Sequence, residues 1–161
     1  MSSLYKIAII CLIIMGTQSL IAVGQQTSKY KCMIQMTNYM GEGAYIVVSL
    51  VNSRDGYEKT LYVMGADKKW YKTIKEWNKF YVKHPNVSAI TGASVTGGDR
   101  SVNIIEIEKS KINAGYKLRF ESAVEDKKYH VKDVEIPLTT AALAAKTEGS
   151  GYIRYVRFSA N

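Results

Sequence analysis

The 161-residue sequence contains few of the residues that build covalently or metal-stabilised folds. It has two Cys, two His and two Pro. Two cysteines are too few for the disulfide framework of a small secreted domain, and two histidines fall short of a site with three or four ligands. The two prolines, with twelve glycines, exclude a collagen-like or low-complexity chain. With 47% hydrophobic and 22% charged residues, the composition predicts one globular domain.

The sequence also lacks the standard catalytic motifs. It contains no Gly-x-x-x-x-Gly-Lys, His-Glu-x-x-His or Cys-x-x-Cys pattern. Residues 92–96 approximate a nucleophile elbow, but Thr96 stands where the closing glycine belongs. His84 and His130 have no obvious partner in the sequence, so we expect both at the surface or in turns. We therefore predict a non-catalytic accessory module with no metal site.

The longest apolar run lies at the N-terminus and is too short to span a bilayer. Residues 7–15 are almost wholly apolar, follow Lys6, and are followed by Ala22-Val23-Gly24. A charged start, a short apolar centre and small residues before the cleavage point are typical of a secretory signal peptide. A transmembrane helix needs about 20 apolar residues. We predict a signal peptide over residues 1–24, cleaved after Gly24, and one domain over residues 25–161 that is periplasmic or secreted, without a transmembrane anchor.

Removal of that peptide leaves Cys32 as the only cysteine. It belongs to an alternating segment with one apolar face, formed by Tyr30, Cys32, Ile34 and Met36. The sulfurs of Met33, Met36 and Met40 raise the alternative of a copper site. Cysteine and methionine are, however, among the residues most often buried. We therefore predict that Cys32 lies in the core.

Seven segments have the composition of short strands. They are residues 30–36, 44–51, 59–64, 101–107, 116–123, 129–136 and 151–158. The turn at residues 52–56, with Gly56 suited to a positive φ, joins the second and third strands into a hairpin. No alternation of strands and helices is present. The pattern predicts an all-β, immunoglobulin-like antiparallel β-sandwich of about seven strands.

One segment has helical rather than strand periodicity. Between Asp67 and Lys83, apolar residues recur at helical spacing: Trp70, Ile74, Trp77 and Tyr81. Asp67 is a suitable N-cap, and Pro85 ends the run. We predict one amphipathic helix inserted between strands. The Ala-rich stretch at 139–146 is predicted to be a short helical turn or a loop that crosses the sandwich.

Lysines line another face of this helix at the same spacing, namely Lys68, Lys72, Lys75, Lys79 and Lys83. Such a stripe is either the solvated side of the helix or a surface that docks on an acidic partner or anionic lipid. We take Lys72, Lys75 and Lys79 as the candidate partner-binding residues. Nucleic acid is not predicted as a partner, because the chain has an export signal and no recognisable binding motif.

The loop at residues 88–98 is rich in small and hydroxyl-bearing side chains. Three glycines permit tight turns there, so the loop offers exposed hydroxyls and backbone N–H groups. Those groups suit either an anion-binding nest or a hydroxyl that another enzyme must reach. Asn86-Val87-Ser88 also fits the N-glycosylation pattern, which matters only in a eukaryotic secretory pathway.

Within this loop, Thr91-Gly92-Ala93-Ser94 resembles the Ser/Thr-Gly-Ala-Thr/Ser core recognised by bacterial extracytoplasmic flavin transferases. Those enzymes join FMN through its phosphate to the last hydroxyl residue of the core. The resemblance implies that Ser94 is the acceptor and that Thr91, Gly92 and Ala93 complete the cofactor-binding site. Ser88 stands where the family pattern usually has Asp.

A longer resemblance extends over nearly the whole mature chain. Its residues are Tyr45-Ile46-Val47-Val48, Asp55-Gly56, Thr60-Leu61, Trp70, Trp77, the core at 91–94, Gly97, Gly115-Tyr116-Lys117-Leu118 and Glu121. The pattern resembles a bacterial family of predicted periplasmic proteins of unknown function, found near PepSY-type membrane proteins and flavin transferases. Val95-Thr96 replaces the basic residue and Pro that this family tends to have. The resemblance implies a small β-sandwich that takes part in electron or iron traffic at the membrane.

Two functions from different classes follow from these observations. In the first, the protein is an exported accessory or binding module that works beside a PepSY-type membrane redox or iron-related protein and has no cofactor of its own. In the second, it is an extracytoplasmic electron carrier with FMN covalently attached at Ser94. In that case Tyr71, Trp77 or Tyr81 is the candidate to stack on the flavin ring; packing in the core is the alternative role for these side chains.

Overall fold

The computed structural model describes residues 26–91 and 93–160. The predicted signal peptide and Gly92 therefore lie outside the described residues. The described strands are β1 (Thr27–Met36), β2 (Tyr45–Val51), β3 (Tyr57–Met64), β4 (Ile90–Thr91), β5 (Arg100–Glu108), β6 (Lys117–Ala123), β7 (Tyr129–Pro137), β8 (Lys146–Glu148) and β9 (Ile153–Ala160). The helices are α1 (Lys75–Tyr81), α2 (Thr140–Ala144) and two 3-10 helices at Lys68–Thr73 and Lys109–Lys111.

The strands form two sheets that pack face to face, which confirms the predicted β-sandwich. Sheet I has the order β5-β1-β9-β8, and sheet II has the order β4-β3-β2-β6-β7. Neighbouring strands are antiparallel except for β3 and β4, which pair in parallel. The strands β4 and β8 were not predicted, because segments of two and three residues are too short to show a period of two.

The main core lies between the two sheets. Cys32, Ile34 and Met36 of β1 are completely buried there and share a single hydrophobic cluster with Ile46 and Val48 of β2. The predicted burial of Cys32 is thus confirmed, and burial raises the pKa of its thiol. Each fully buried aliphatic side chain of this kind contributes about 1.5–3 kcal/mol to folding.

A second apolar layer covers the outer face of sheet II. Val47 and Val63 point outward from β2 and β3 and pack with Tyr71, Ile74 and Trp77 of the helical segment. This covering explains why residues 46–51 of β2 are all buried and apolar on both faces, apart from one serine.

The helical segment differs from the single helix predicted over residues 67–83. It consists of the 3-10 helix at Lys68–Thr73 and then α1, separated at Ile74, whose φ and ψ are −90° and 71°. The buried residues Tyr71, Ile74 and Trp77 are spaced by three, which suits three residues per turn better than 3.6. Trp70, predicted on the buried side, is half-exposed. The predicted cap is confirmed, because the Asp67 carboxylate accepts a hydrogen bond from the Lys69 N–H at 3.1 Å.

The Ala-rich stretch contains α2, in agreement with the predicted short helical turn. The Thr139 hydroxyl caps it by accepting a hydrogen bond from the Ala142 N–H at 3.1 Å, and Leu143 reaches the main core. In the described part of the chain, no helix is long and apolar enough to cross a membrane.

Candidate functional site

The loop that carries Ser94 is held firmly to the start of β2. Val95 and Ala44 exchange two backbone hydrogen bonds of 2.8 and 3.0 Å. The Tyr39 hydroxyl donates to the Val95 carbonyl at 2.6 Å and accepts from the Ala44 N–H at 2.8 Å. Val95 is buried, whereas Ala93 and Ser94 are exposed. The predicted acceptor hydroxyl therefore faces solvent from a fixed support.

The remaining members of the predicted cofactor-binding site lie just before Ser94. Thr91 is the last residue of β4 and pairs with Met64, and Gly92 lies outside the described residues. Gly43 also lies beside Ser94, and no sequence pattern pointed to it. A Cβ atom at Gly43 would lie 2.3 Å from the Ser94 Oγ, so the position requires glycine for Ser94 to approach.

Ser94 lies at the edge of a cleft of about 160 Å³, which we call the Ser94 cleft. Its walls include the rings of Tyr45 and Trp70, the Thr73 side chain and the carboxylates of Glu42 and Glu125. The cleft brings together the loop before β2, the residues after β6 and the 3-10 helix. An aromatic wall of this kind suits a planar ring or a cation.

The charge in the Ser94 cleft is negative, because both of its charged wall residues are carboxylates. A second cleft of about 230 Å³ lies on another side of Ser94 and includes Asp99 and Arg100. Arg100 is thus the cation that the second cleft offers to a negatively charged group at Ser94. The predicted acceptor lies between an acidic aromatic cleft and a mixed-charge cleft.

The rings proposed from sequence to stack on a flavin are not the ones that line this cleft. Tyr71 and Trp77 are 2% and 0% exposed and pack edge to face at 5.0 Å. Tyr81 is half-buried and stacks on Trp77 at 4.7 Å. These rings belong to the layer that covers sheet II. Tyr45 and Trp70 line the cleft instead. The sequence patterns gave Tyr45 no role beside Ser94.

Lys72, Lys75 and Lys79 are all exposed on the outer side of the helical segment; we call these three residues the lysine face. Lys79 pairs with Glu76 at 2.8 Å. Lys72 and Lys75 make no ion pair with any of the described residues. Thr73, between them, lines the Ser94 cleft, so the lysine face borders that cleft.

A buried carboxyl lies beneath the helical segment. Glu121 of β6 is completely buried and accepts hydrogen bonds from the hydroxyls of Tyr57, at 2.6 Å, and Tyr129. Desolvation raises the pKa of Glu121 to about 7, although the hydroxyl hydrogen bonds and Arg119 act in the opposite direction. The Tyr129 hydroxyl also accepts from the Glu76 N–H at 3.1 Å, which ties the start of α1 to sheet II.

The histidines are not placed together. His84 is exposed and lies 4.8 Å from the ring of Phe80, while His130 lies in β7, half-buried against Tyr152. The expected surface position is correct for His84 and wrong for His130, whose ring packs into the space left by Gly151. Within residues 26–91 and 93–160, no group of three or more His, Cys, Asp or Glu is arranged to hold a metal ion.

Comparison with known proteins identifies a family. Searches against curated proteins and against solved structures give no match. The model of a family described as predicted periplasmic protein (DUF2271) matches residues 27–155, which run from the start of β1 into β9. Because that match covers most of the chain, the protein belongs to the DUF2271 family of predicted periplasmic proteins, whose function is unknown.

Proposed function

We propose that the protein is an exported accessory protein that binds an acidic surface of a PepSY-type membrane redox or iron-related protein through Lys72, Lys75 and Lys79. The observation that supports this function is the rigid mounting of the lysine face. Tyr71, Ile74 and Trp77 anchor the opposite side of the same segment in the layer over sheet II. The three ammonium groups therefore project from a fixed base rather than from a mobile loop.

A fixed cationic surface lowers the ordering cost of association, because only the lysine side chains lose freedom on binding. Complementary charge also speeds encounter and makes it dependent on ionic strength. Screening at physiological salt acts over about 8 Å, so the exposed lysines of this face are sensitive to salt. The proposed function therefore predicts binding that weakens as salt rises.

The test is a titration of the purified PepSY-type protein from the same organism, kept in detergent. The variant Lys72→Glu/Lys75→Glu is expected to weaken binding at least tenfold and to reduce its salt dependence. The matched control is Lys109→Glu/Lys128→Glu, which makes the same change in net charge at exposed positions elsewhere. Equal affinities for both variants and the native protein would contradict the proposed function.

A second candidate function is electron transfer by FMN attached to Ser94, and the exposed Ser94 beside an aromatic wall favours it. FMN supplies one- and two-electron chemistry when it is bound. Ser94 would hold its phosphate, and Tyr45 and Trp70 are the rings available to contact the isoalloxazine. Glu42 and Glu125 oppose the negative phosphate, which is why this function ranks second.

Intact mass of the protein purified from its native exporting host tests this candidate. In attachment, the Ser94 Oγ would lose its proton and bond to the FMN phosphorus of a flavin dinucleotide, while the pyrophosphate bond breaks and AMP leaves. The peptide that contains Ser94 would therefore gain the mass of FMN minus one water. Ser94→Ala should abolish the gain, while Ser88→Ala, another exposed serine of the same loop, should retain it. An unmodified mass in a host that produces a flavin transferase would refute attachment.

A further inference from the structure

The outer face of sheet I is not covered in the way that the helical segment covers sheet II. Val102 and Ile104 of β5 are 52% and 40% exposed, although both lie within a regular strand. Few large apolar side chains of the described chain are exposed to this extent, and these two are neighbours on one face. The exposure is therefore concentrated on one sheet face rather than scattered over the surface.

Strand register places cations directly beside these apolar side chains. Met33 of β1 pairs with Val102 on one side and with Arg157 of β9 on the other. Lys31 pairs with Ile104 in the same register. The five side chains form what we call the open face. A groove of about 430 Å³ crosses it, with Lys31, Met33, Val102 and Arg157 in its walls.

The cations of the open face differ from their neighbours in having no acidic partner. Lys29 pairs with Glu106 at 3.2 Å, and Lys146 pairs with Glu148 at 3.1 Å. Lys31 and Arg157 make no ion pair with any residue that the structure describes. Two cations without an ion pair thus lie around three apolar side chains on the outer face of sheet I.

This arrangement has the charge and polarity of a surface that meets anionic lipid. Lysine and arginine near a negative leaflet each contribute about 1 kcal/mol, and aliphatic side chains gain by leaving water for the headgroup region. Long cationic side chains reach phosphate groups while their stems remain against apolar surface. Protein interfaces are enriched in aromatic residues as well as in Met and Arg, and none of the five residues of the open face is aromatic.

We propose that the open face docks the protein on a membrane surface that contains anionic phospholipid. Met33, Val102 and Ile104 enter the headgroup region, and Lys31 and Arg157 contact lipid phosphates. The lysine face lies on the opposite side of the sandwich, over sheet II. Membrane contact through sheet I therefore leaves the proposed partner-binding residues accessible.

Vesicle flotation tests this docking with the mature protein at low and physiological salt. The probes are vesicles of phosphatidylcholine alone and of equal parts phosphatidylcholine and phosphatidylglycerol. The native protein should partition onto the anionic vesicles, and Lys31→Glu/Arg157→Glu should reduce partitioning roughly tenfold or more. Val102→Ser/Ile104→Ser should also reduce it, by a smaller factor that salt does not remove. Circular dichroism and thermal unfolding verify that each variant is folded.

The matched control is Lys109→Glu/Lys128→Glu, which makes the same change in net charge at exposed positions outside the open face. Retained binding by this control supports the open face as the docking site. Equal loss in both charge variants would show attraction by net charge alone and would overturn the proposal, as would absence of binding to anionic vesicles. If the native protein does not bind vesicles and Lys31→Glu/Arg157→Glu loses binding to the PepSY-type protein, the open face is a protein interface and the proposal is overturned. The detergent titration of the lysine face does not depend on these outcomes.

Discussion

The buried carboxyl of Glu121 is expected to make the fold less stable as pH rises through neutrality. Its pKa is raised from 4.5 to about 7 in the folded protein. Between these values the folded state holds a proton that the unfolded chain has released. The contribution of protonated Glu121 to the free energy of unfolding is therefore fully present below about pH 4.5 and is lost as pH rises through 7. The full difference amounts to about 3 kcal/mol, since one pKa unit corresponds to about 1.4 kcal/mol.

Glu121→Gln isolates this effect because the amide has nearly the shape of the carboxyl and no charge. Its oxygen accepts from one of Tyr57 and Tyr129, and its NH₂ group donates to the other. Urea unfolding from pH 5 to 8.5 should show native stability falling relative to the variant as pH rises. The difference between the two proteins should change by about 2–3 kcal/mol over that range.

Glu125→Gln is the control, because it removes one negative charge from an exposed carboxyl four residues further along. Its stability should follow the native protein across the pH range. A constant difference between the native protein and Glu121→Gln at every pH would refute the reasoning. In that case the two tyrosine hydroxyls and Arg119 would offset the desolvation of an ionised Glu121 in full.

Three further predictions concern other contacts within the fold. Asp133→Ala should cost about 3–5 kcal/mol in urea unfolding, because the Asp133 carboxylate accepts hydrogen bonds from four successive N–H groups at residues 150–153; a cost no larger than that of the exposed Glu106→Ala would contradict this. Cys32 should react with iodoacetamide only under unfolding conditions, as followed by mass, since burial raises its pKa and excludes reagent; rapid labelling of native protein would contradict its core position. Gly43→Ala should lower stability by about 1–3 kcal/mol through its contact with Ser94, and pairing it with Ser94→Gly should restore most of the loss; no recovery would show that the strain lies elsewhere.

Local alternation was enough to predict the sandwich but not what covers its outer faces. In β6, Leu118 and Phe120 alternate with Arg119 and Glu121, and the apolar pair does face the main core. Arg119 and Glu121 are nevertheless 3% and 0% exposed. Glu121 is buried because a helical segment about 45 residues earlier packs over that side of sheet II, whereas Arg119 contacts Tyr57, Asp55 and Glu135. A strand's own sequence contains no record of such a distant cover, so the alternation in β6 does not predict the burial of its polar side chains.

The turn at residues 52–56 was predicted correctly, but the residue with the positive φ was not. Gly56 was expected to take the positive φ, but Asp55 has φ of 66°. The Asn52 side chain accepts hydrogen bonds from the N–H groups of Arg54 and Gly56, both at 3.0 Å, which fixes the turn locally. Asp55 is then held by Lys117, Arg119 and Lys132 from strands far along the chain. Those cations lower the pKa of Asp55 and hold its side chain, and aspartate is itself among the turn residues that tolerate a positive φ.

In the candidate site, features set by neighbouring residues could be predicted, and features set by distant segments could not. The exposed hydroxyl of Ser94 follows from a loop of small residues and could be predicted. The cleft beside it could not, because its walls come from four separated segments. The helical segment begins as a 3-10 helix, in which Tyr71 rather than Trp70 is buried. Trp70 is therefore available to line the cleft.

The distribution of charge favours one of the two candidate functions over the other, whereas the fold is compatible with both. The full sequence has a net charge of +8, yet Glu42 and Glu125 make the Ser94 cleft acidic. A phosphodiester at Ser94 adds negative charge beside these carboxylates, and Arg100 offsets it only from the second cleft. At about 4 Å, each such contact between exposed charges is worth roughly 1 kcal/mol in water and several at lower dielectric. In the lysine face, by contrast, Lys72 and Lys75 make no ion pair with a described residue, and Lys79 pairs with Glu76. A flavin at Ser94 would therefore mean that contact with Tyr45 and Trp70 outweighs two unfavourable carboxylates.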